Sequence, residues 1–370
     1  MNTFDRFRLK TNPFRMTPAI NSEELIWAGF PEVKDKLEKR IKRSIQIPNS
    51  SLILNWGEYG SGKTHAARYF NKESVLQGIA DPIGQTLPFS LNINFPKSKQ
   101  PVWDIYYQII DKLDIDALRI KLDEAGINVS DVINISTDNF YIRNVLRAIF
   151  NPDVDVKLLK QFLYNRITAG DLRKFPNEGI QRTFSSDNDI TEFLAAFFSL
   201  TTYQKAAYSC VIIWFDEFED ISILNSVSIN SVNNFLKILL DKTPNNLLIF
   251  LNLTQSAMID VEDLGEYLQE AVKSRIKDRI ELSMPTIEEL KLYLKDLLNN
   301  PLHREVAEDS CFPFEEDVVD EVVKDLGTVS LRRFNEAFSL LLESALFDTK
   351  DSIDKAYYEL IKDEIIGWKD

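Results

Sequence analysis

Apolar residues recur every fourth position at Val33, Leu37, Ile41 and Ile45, the period of a helix with one buried stripe. Farther along, the pattern changes. Short apolar runs at 51–56, 87–95, 210–215, 246–253 and 279–284 read as strands buried on both faces, with helical periods between them. Such alternation predicts an α/β fold, a five-stranded parallel sheet covered by helices. The long stretch from about 96 to 209 has helical periodicity at 102–113, 140–150 and 190–203, so a helical insertion is expected there. Inside it, residues 114–137 mix Asp, Asn and Ser with apolar residues in no clear period and predict no element. From Pro285 onward the pattern is helical throughout, with candidates at 286–299, 315–325, 330–346 and 351–367.

Composition narrows the class. With 370 residues, 44% of them hydrophobic, the chain can bury a large core and a smaller second one. No stretch approaches the roughly 18 apolar residues of a membrane span, and the first residues lack a secretory pattern, so a cytoplasmic protein with no membrane partner is expected. The only cysteines, Cys210 and Cys311, make neither a disulfide framework nor a zinc site, and His65 and His303 do not make a histidine metal site. A net charge of −14 repels a phosphate backbone unless basic residues gather on one face. Lys36, Lys39, Arg40 and Lys42, in the stretch from Lys34 to Arg43, are such a cluster. Its alternative reading is a solvated helix face paired with Glu32, Asp35 and Glu38.

The candidate chemistry begins at the end of the first strand. Gly57-Glu58-Tyr59-Gly60-Ser61-Gly62-Lys63-Thr64 is a full G-x-x-x-x-G-K-[ST] motif, between a strand-like run and a helix-like one that starts at His65. Glycines let such a loop wrap closely round a triphosphate with its backbone N–H groups facing the anion. Lys63 then reaches the β/γ oxygens of ATP, and the Thr64 hydroxyl ligates Mg²⁺. The third strand ends in Asp216-Glu217. Asp216 is the expected second Mg²⁺ residue, and Glu217 the one that orients and deprotonates the attacking water. The fourth strand ends in polar groups, of which Asn252 or Thr254 is expected to orient that water; the two share one side of the strand, so the pattern does not choose between them.

Taken in order, these features resemble the AAA+ ATPases, and among them the origin-recognition, initiator-like branch. Gly57 to Thr64 stands as Walker A, Asp216-Glu217 as Walker B, and the fourth-strand end as sensor 1. Ser274-Arg275-Ile276-Lys277-Asp278-Arg279 precedes the last strand, and Leu331-Arg332-Arg333-Phe334 lies in the helical region. The resemblance implies a lead-in over 1–50, an AAA+ domain over 51–285 and a helical lid over 286–370. It also implies an arginine finger at Arg275 or Arg279 for a neighbouring subunit's nucleotide. A sensor 2 arginine would stand at Arg332, with Arg333 second. For each arginine the alternative is a surface salt bridge. Tyr164 to Glu219 is also similar to BREX-type phage-defence ATPases. The chain departs from initiators in stopping where their DNA-binding winged helix would follow.

The reading that results is an ATP-hydrolysing AAA+ switch, a homo-oligomer or an assembly with a protein effector, with any DNA contact weak or indirect. A setting in prokaryotic anti-phage defence or a mobile element is the expected context. A nucleotide-gated scaffold that recruits an effector such as a nuclease is the first alternative, and a P-loop small-molecule kinase the second.

Overall fold

The structure is a computed structural model, which describes residues 3–15, 22–175, 179–243, 246–255, 264–308 and 310–367. Its five strands are β1 (Ser50–Gly57), β2 (Phe89–Asn94), β3 (Val211–Asp216), β4 (Leu247–Thr254) and β5 (Ile276–Glu281). They form one parallel sheet in the order β2-β3-β4-β1-β5. Every residue of β3 is buried, and its register sets Asn94 opposite Asp216 on one side and Phe215 opposite Leu251 on the other. Continuous burial is what a central parallel strand requires, and it explains why β3 and β4 are legible as unbroken apolar runs.

The last strand lies ahead of the expected 279–284. β5 alternates exposed Lys277, Arg279 and Glu281 with more buried neighbours, and it stands last in the sheet order. A strand with one solvated face has no unbroken apolar run, and Leu282 and Met284 carried the apolar signal past its end. The silent stretch 114–137 holds two helices, Ile115–Glu124 and Val129–Ser136. The first is fixed by Asp114, whose side chain accepts a hydrogen bond from the Ala117 amide. Both are short, with three and two buried residues, too few for a period to show.

The chain divides into two compact units. One comprises Leu37–Trp56 and Phe70–Ile280, which is nearly all of the sheet with the helices inserted between β2 and β3. Its core runs from Leu52 and Leu54 of β1 through Ile213 and Ile249 to Phe162, Phe184 and Phe193 of the insertion. Insertion helices are started by side-chain caps at Asn139, Asp155 and Ser186. The other unit comprises Met1–Lys36, Gly57–Tyr69 and Glu281–Asp370. Here Phe7 and Phe14 pack with Leu294, Phe314, Phe334, Phe338 and Tyr358 of the C-terminal helices. Those helices are Ile287–Leu298, Glu316–Leu326, Leu331–Phe347 and Lys355–Ile366. Thr286 and Glu289 close a capping box at the first, and Ser330 caps the third through the Arg333 amide. The grouping differs from a division at 50 and 285, because the glycine-rich loop and the helix after it, Lys63–Tyr69, belong with the C-terminal helices.

Candidate nucleotide site

The glycine-rich loop is built in the unit with the C-terminal helices. Gly60 and Gly62 have φ of +80° and +98°, a region that side chains disfavour. Space forbids a side chain as well. A Cβ on Gly57 would stand 2.3 Å from the Leu282 carbonyl oxygen, and one on Gly60 would stand 2.9 Å from Cβ of Ser330. Lys63 opens the following helix and is only 7% exposed. Its ammonium donates to the carbonyl oxygens of Gly57 and Glu58, both at 2.8 Å, and to Ser61 Oγ at 3.2 Å. The lysine is thus held over its own loop, with Thr64 next to it half-buried.

The amino end of helix Leu331–Phe347 meets the same loop. Arg332 donates to the Tyr59 hydroxyl, and its guanidinium carbon lies 4.6 Å from the centre of the Tyr59 ring. Tyr59 is 65% exposed, so this stack sits at the surface of the loop. Arg333 is committed elsewhere, to the Glu336 carboxylate at 2.6 Å and the Ile365 carbonyl at 3.0 Å. Between the two arginines weighed for sensor 2, only Arg332 touches the loop. His65 turns from the loop toward the N-terminal segment. Its Nε2 lies 2.7 Å from the Ile26 carbonyl oxygen, as a donor requires, and burial lowers the pKa of its ring.

The carboxylates belong to the sheet unit. Asp216 ends β3 and is 5% exposed; its Oδ1 accepts a hydrogen bond from Asn252 Nδ2 at 3.2 Å. Asn252 Oδ1 in turn accepts from Asn55 Nδ2 at 3.1 Å. An amide chain therefore runs from β1 through β4 to β3, and an asparagine can join both neighbours because it carries a donor and an acceptor. Thr254 does something else: its backbone amide donates to Glu219 Oε2 at 2.9 Å. Of the two candidates left open by the strand period, only Asn252 aims a side chain at the β3 carboxylate. Glu217 follows with φ of +57°, a left-handed backbone uncommon for a residue with a side chain, and its side chain is 61% exposed.

The finger candidates differ. Arg275 is bound to the Asp241 carboxylate and the Ala271 carbonyl, the salt-bridge alternative weighed for it. Arg279 is exposed and has no acidic partner among the described residues. The basic stretch lies on helix Pro31–Gln46, where Arg40 pairs with Asp278 and Lys34 lies 5.7 Å from the centre of the Tyr69 ring.

The chain matches no protein-family model and no curated protein. Among solved structures it is similar to the ORC2 protein of Aeropyrum pernix in its ADP form. The TM-score is 0.55 at 15% identity, over 98% of this chain and 73% of that one. The same protein in its ADPNP-ADP complexes gives 0.52 at 17% identity, over 97% and 73%. The likeness shows the fold, an α/β AAA+ fold with a five-stranded parallel sheet. Within this AAA+ fold, two polar residues escaped the sequence reading. Asn55 interrupts the apolar run Leu52-Ile53-Leu54, and a buried amide in such a run was the available signal. Lys97 had none. It follows β2, and its ammonium lies 2.9 Å from Asp220 Oδ2 and 3.9 Å from Glu217 Oε2. The Asp220 carboxylate raises the lysine's pKa, so it stays charged beside Glu217.

Proposed function

We propose that the chain binds ATP with Mg²⁺ at the Gly57–Thr64 loop and hydrolyses it, and that this cycle switches an assembly of copies or partners. The observation that carries the reading is the loop itself. Its backbone takes conformations reserved for glycine at Gly60 and Gly62, and Lys63 is held among the loop's own oxygens at the head of a helix. Such a loop offers N–H groups and one cation to a polyphosphate. The ORC2 structures hold ADP and ADPNP, which supports the same ligand class here.

In this reading Lys63 compensates phosphate charge, and Arg332 is the sensor 2 residue on the loop. Thr64 and Asp216 supply a hydroxyl and a carboxylate, the hard oxygen donors that Mg²⁺ takes alongside phosphate and water. The bound ion would neutralise charge developing on the phosphate oxygens. Asn252 fixes the Asp216 carboxylate and offers its amide to the water that Glu217 deprotonates. Arg279 is the finger for a neighbour's nucleotide, because Arg275 is already neutralised by Asp241. DNA contact, with so acidic a chain, is carried weakly by the basic helix face or by a partner.

Isothermal titration with ADP and ATP, with and without Mg²⁺, tests the assignment. Micromolar binding in wild type, lost in Lys63→Ala, is the expected result. Equal binding by both proteins would overturn it, and phosphate transfer from ATP to an added metabolite would favour a kinase.

A further inference from the structure

At the amino ends of β1, β4 and β5 the sheet unit has a cavity of about 320 Å³. Its wall is cationic. Arg40 and Arg43 of helix Pro31–Gln46 and Lys277 of β5 line it, with Asn49 and the buried Ser44 and Ser51 between them. Ile53 and Leu248, both buried, close the floor. Among the described residues no carboxylate lines it, in a chain whose net charge is −14. Arg40 is paired with Asp278, but Arg43 has no acidic partner among the described residues. Lys277 is held by neutral acceptors, the Asn49 side-chain oxygen and the Ser50 carbonyl, the latter at 2.9 Å. Partial desolvation and the nearby Arg43 lower the lysine's pKa, as happens when a cation is crowded by another and answered by no anion.

We propose that this cavity is a binding site for a small phosphate-bearing anion, distinct from the nucleotide site. The Arg43 guanidinium and the Lys277 ammonium, neither answered by a carboxylate, share this lining with hydroxyl and amide groups and with Arg40, whose charge Asp278 partly answers; such a donor set recognises a phosphate monoester. The size fits a small metabolite, near the lower bound of ligand pockets at about 300 Å³. Buried Ser44 and Ser51 can reach only a ligand that enters the cavity, which a compact ester can do and a duplex lying across the surface cannot. The proposal stands apart from the ATPase reading, because none of these residues belongs to the Gly57–Thr64 loop or the carboxylates.

The test is calorimetry with glucose 6-phosphate, inorganic phosphate, citrate and a DNA duplex on the full chain. Wild type, Lys63→Ala, Arg43→Glu and Lys277→Gln are compared after circular dichroism has shown each folded. The sugar phosphate should bind wild type and Lys63→Ala equally. Lys277→Gln should weaken it about tenfold, as loss of one charge-assisted hydrogen bond does, and Arg43→Glu, at an exposed position that tolerates the change, by more, because it also sets a carboxylate against the anion. Any of four results overturns the proposal: no sugar-phosphate binding by wild type at millimolar ligand; loss of binding in Lys63→Ala with retention in Arg43→Glu; citrate binding without phosphate binding; or dependence on Arg43 and Lys277 for the duplex alone.

Discussion

Removing the amide of Asn252 separates the account from its nearest rival, in which Thr254 serves the water. Asn252 is 1% exposed, and its two polar atoms engage Asp216 at 3.2 Å and Asn55 at 3.1 Å. In Asn252→Ala a hydrogen bond to a charged group is lost, about 1.5–3 kcal/mol, and the Asn55 amide is left buried without its acceptor, about 1–3 kcal/mol. The two overlap, so roughly 3–5 kcal/mol is expected, and for a unit of about 230 residues this lowers Tm by about 6–20 °C. Turnover should fall by about 10²–10³, the effect of deleting one well-placed donor. Asn252→Asp preserves the shape and the acceptor for Asn55 but sets a second carboxylate against Asp216, so it should lose turnover as severely with a smaller loss of Tm. Thr254→Ala leaves the backbone bond to Glu219 in place and should change turnover less than about twofold. Steady-state phosphate release and differential scanning fluorimetry on the three variants make the comparison. Wild-type turnover in Asn252→Asp, or a Thr254→Ala defect equal to that of Asn252→Ala, would refute the argument.

Three further outcomes follow from the geometry. Gly60→Ala must adopt φ of +80° with its Cβ 2.9 Å from Ser330, so it should destabilise its unit by about 1–3 kcal/mol and weaken nucleotide binding, both measurable by thermal shift with and without ADP. Burial of His303 lowers its pKa from 6.5 to about 4. Because the folded value is the lower one, its contribution is present above pH 6.5 and lost as pH falls toward 4, about 3 kcal/mol in denaturant melts; a His303→Gln protein should show a flatter profile over that window. Arg279→Ala should abolish any rise of specific ATPase activity with protein concentration, whereas Arg275→Ala, which breaks a salt bridge to Asp241, should lower stability slightly and leave that rise intact.

How far the chain could be read in advance depended on burial. β3 and β4 were legible because continuous burial writes an unbroken apolar run, and β5 was misplaced because one of its faces is solvated. The helices at Ile115–Glu124 and Val129–Ser136 were hidden by shortness, and their caps, Asp114 and Asn128, looked like loop residues. At the candidate site, Gly57 to Thr64 and Asp216-Glu217 stood out because the motifs they match fix residue types at fixed spacing along one segment. Asn55 and Lys97 were not, because their roles arise from pairing across strands and loops, which a linear pattern does not encode. The same holds for the arginines. The resemblance nominated Arg275 or Arg279 for one role and Arg332 ahead of Arg333 for the other, and their partners tell them apart.

The central claim is that this AAA+ fold turns over ATP through Glu217 after binding it through Lys63. Nucleotide affinity and phosphate release, measured together on wild type, Glu217→Gln and Lys63→Ala, test it most directly. Glu217→Gln should bind ATP as wild type does and release phosphate at least about 10²-fold more slowly, while Lys63→Ala should fail to bind. Wild-type phosphate release by Glu217→Gln, or ATP affinity untouched in Lys63→Ala, would contradict the account.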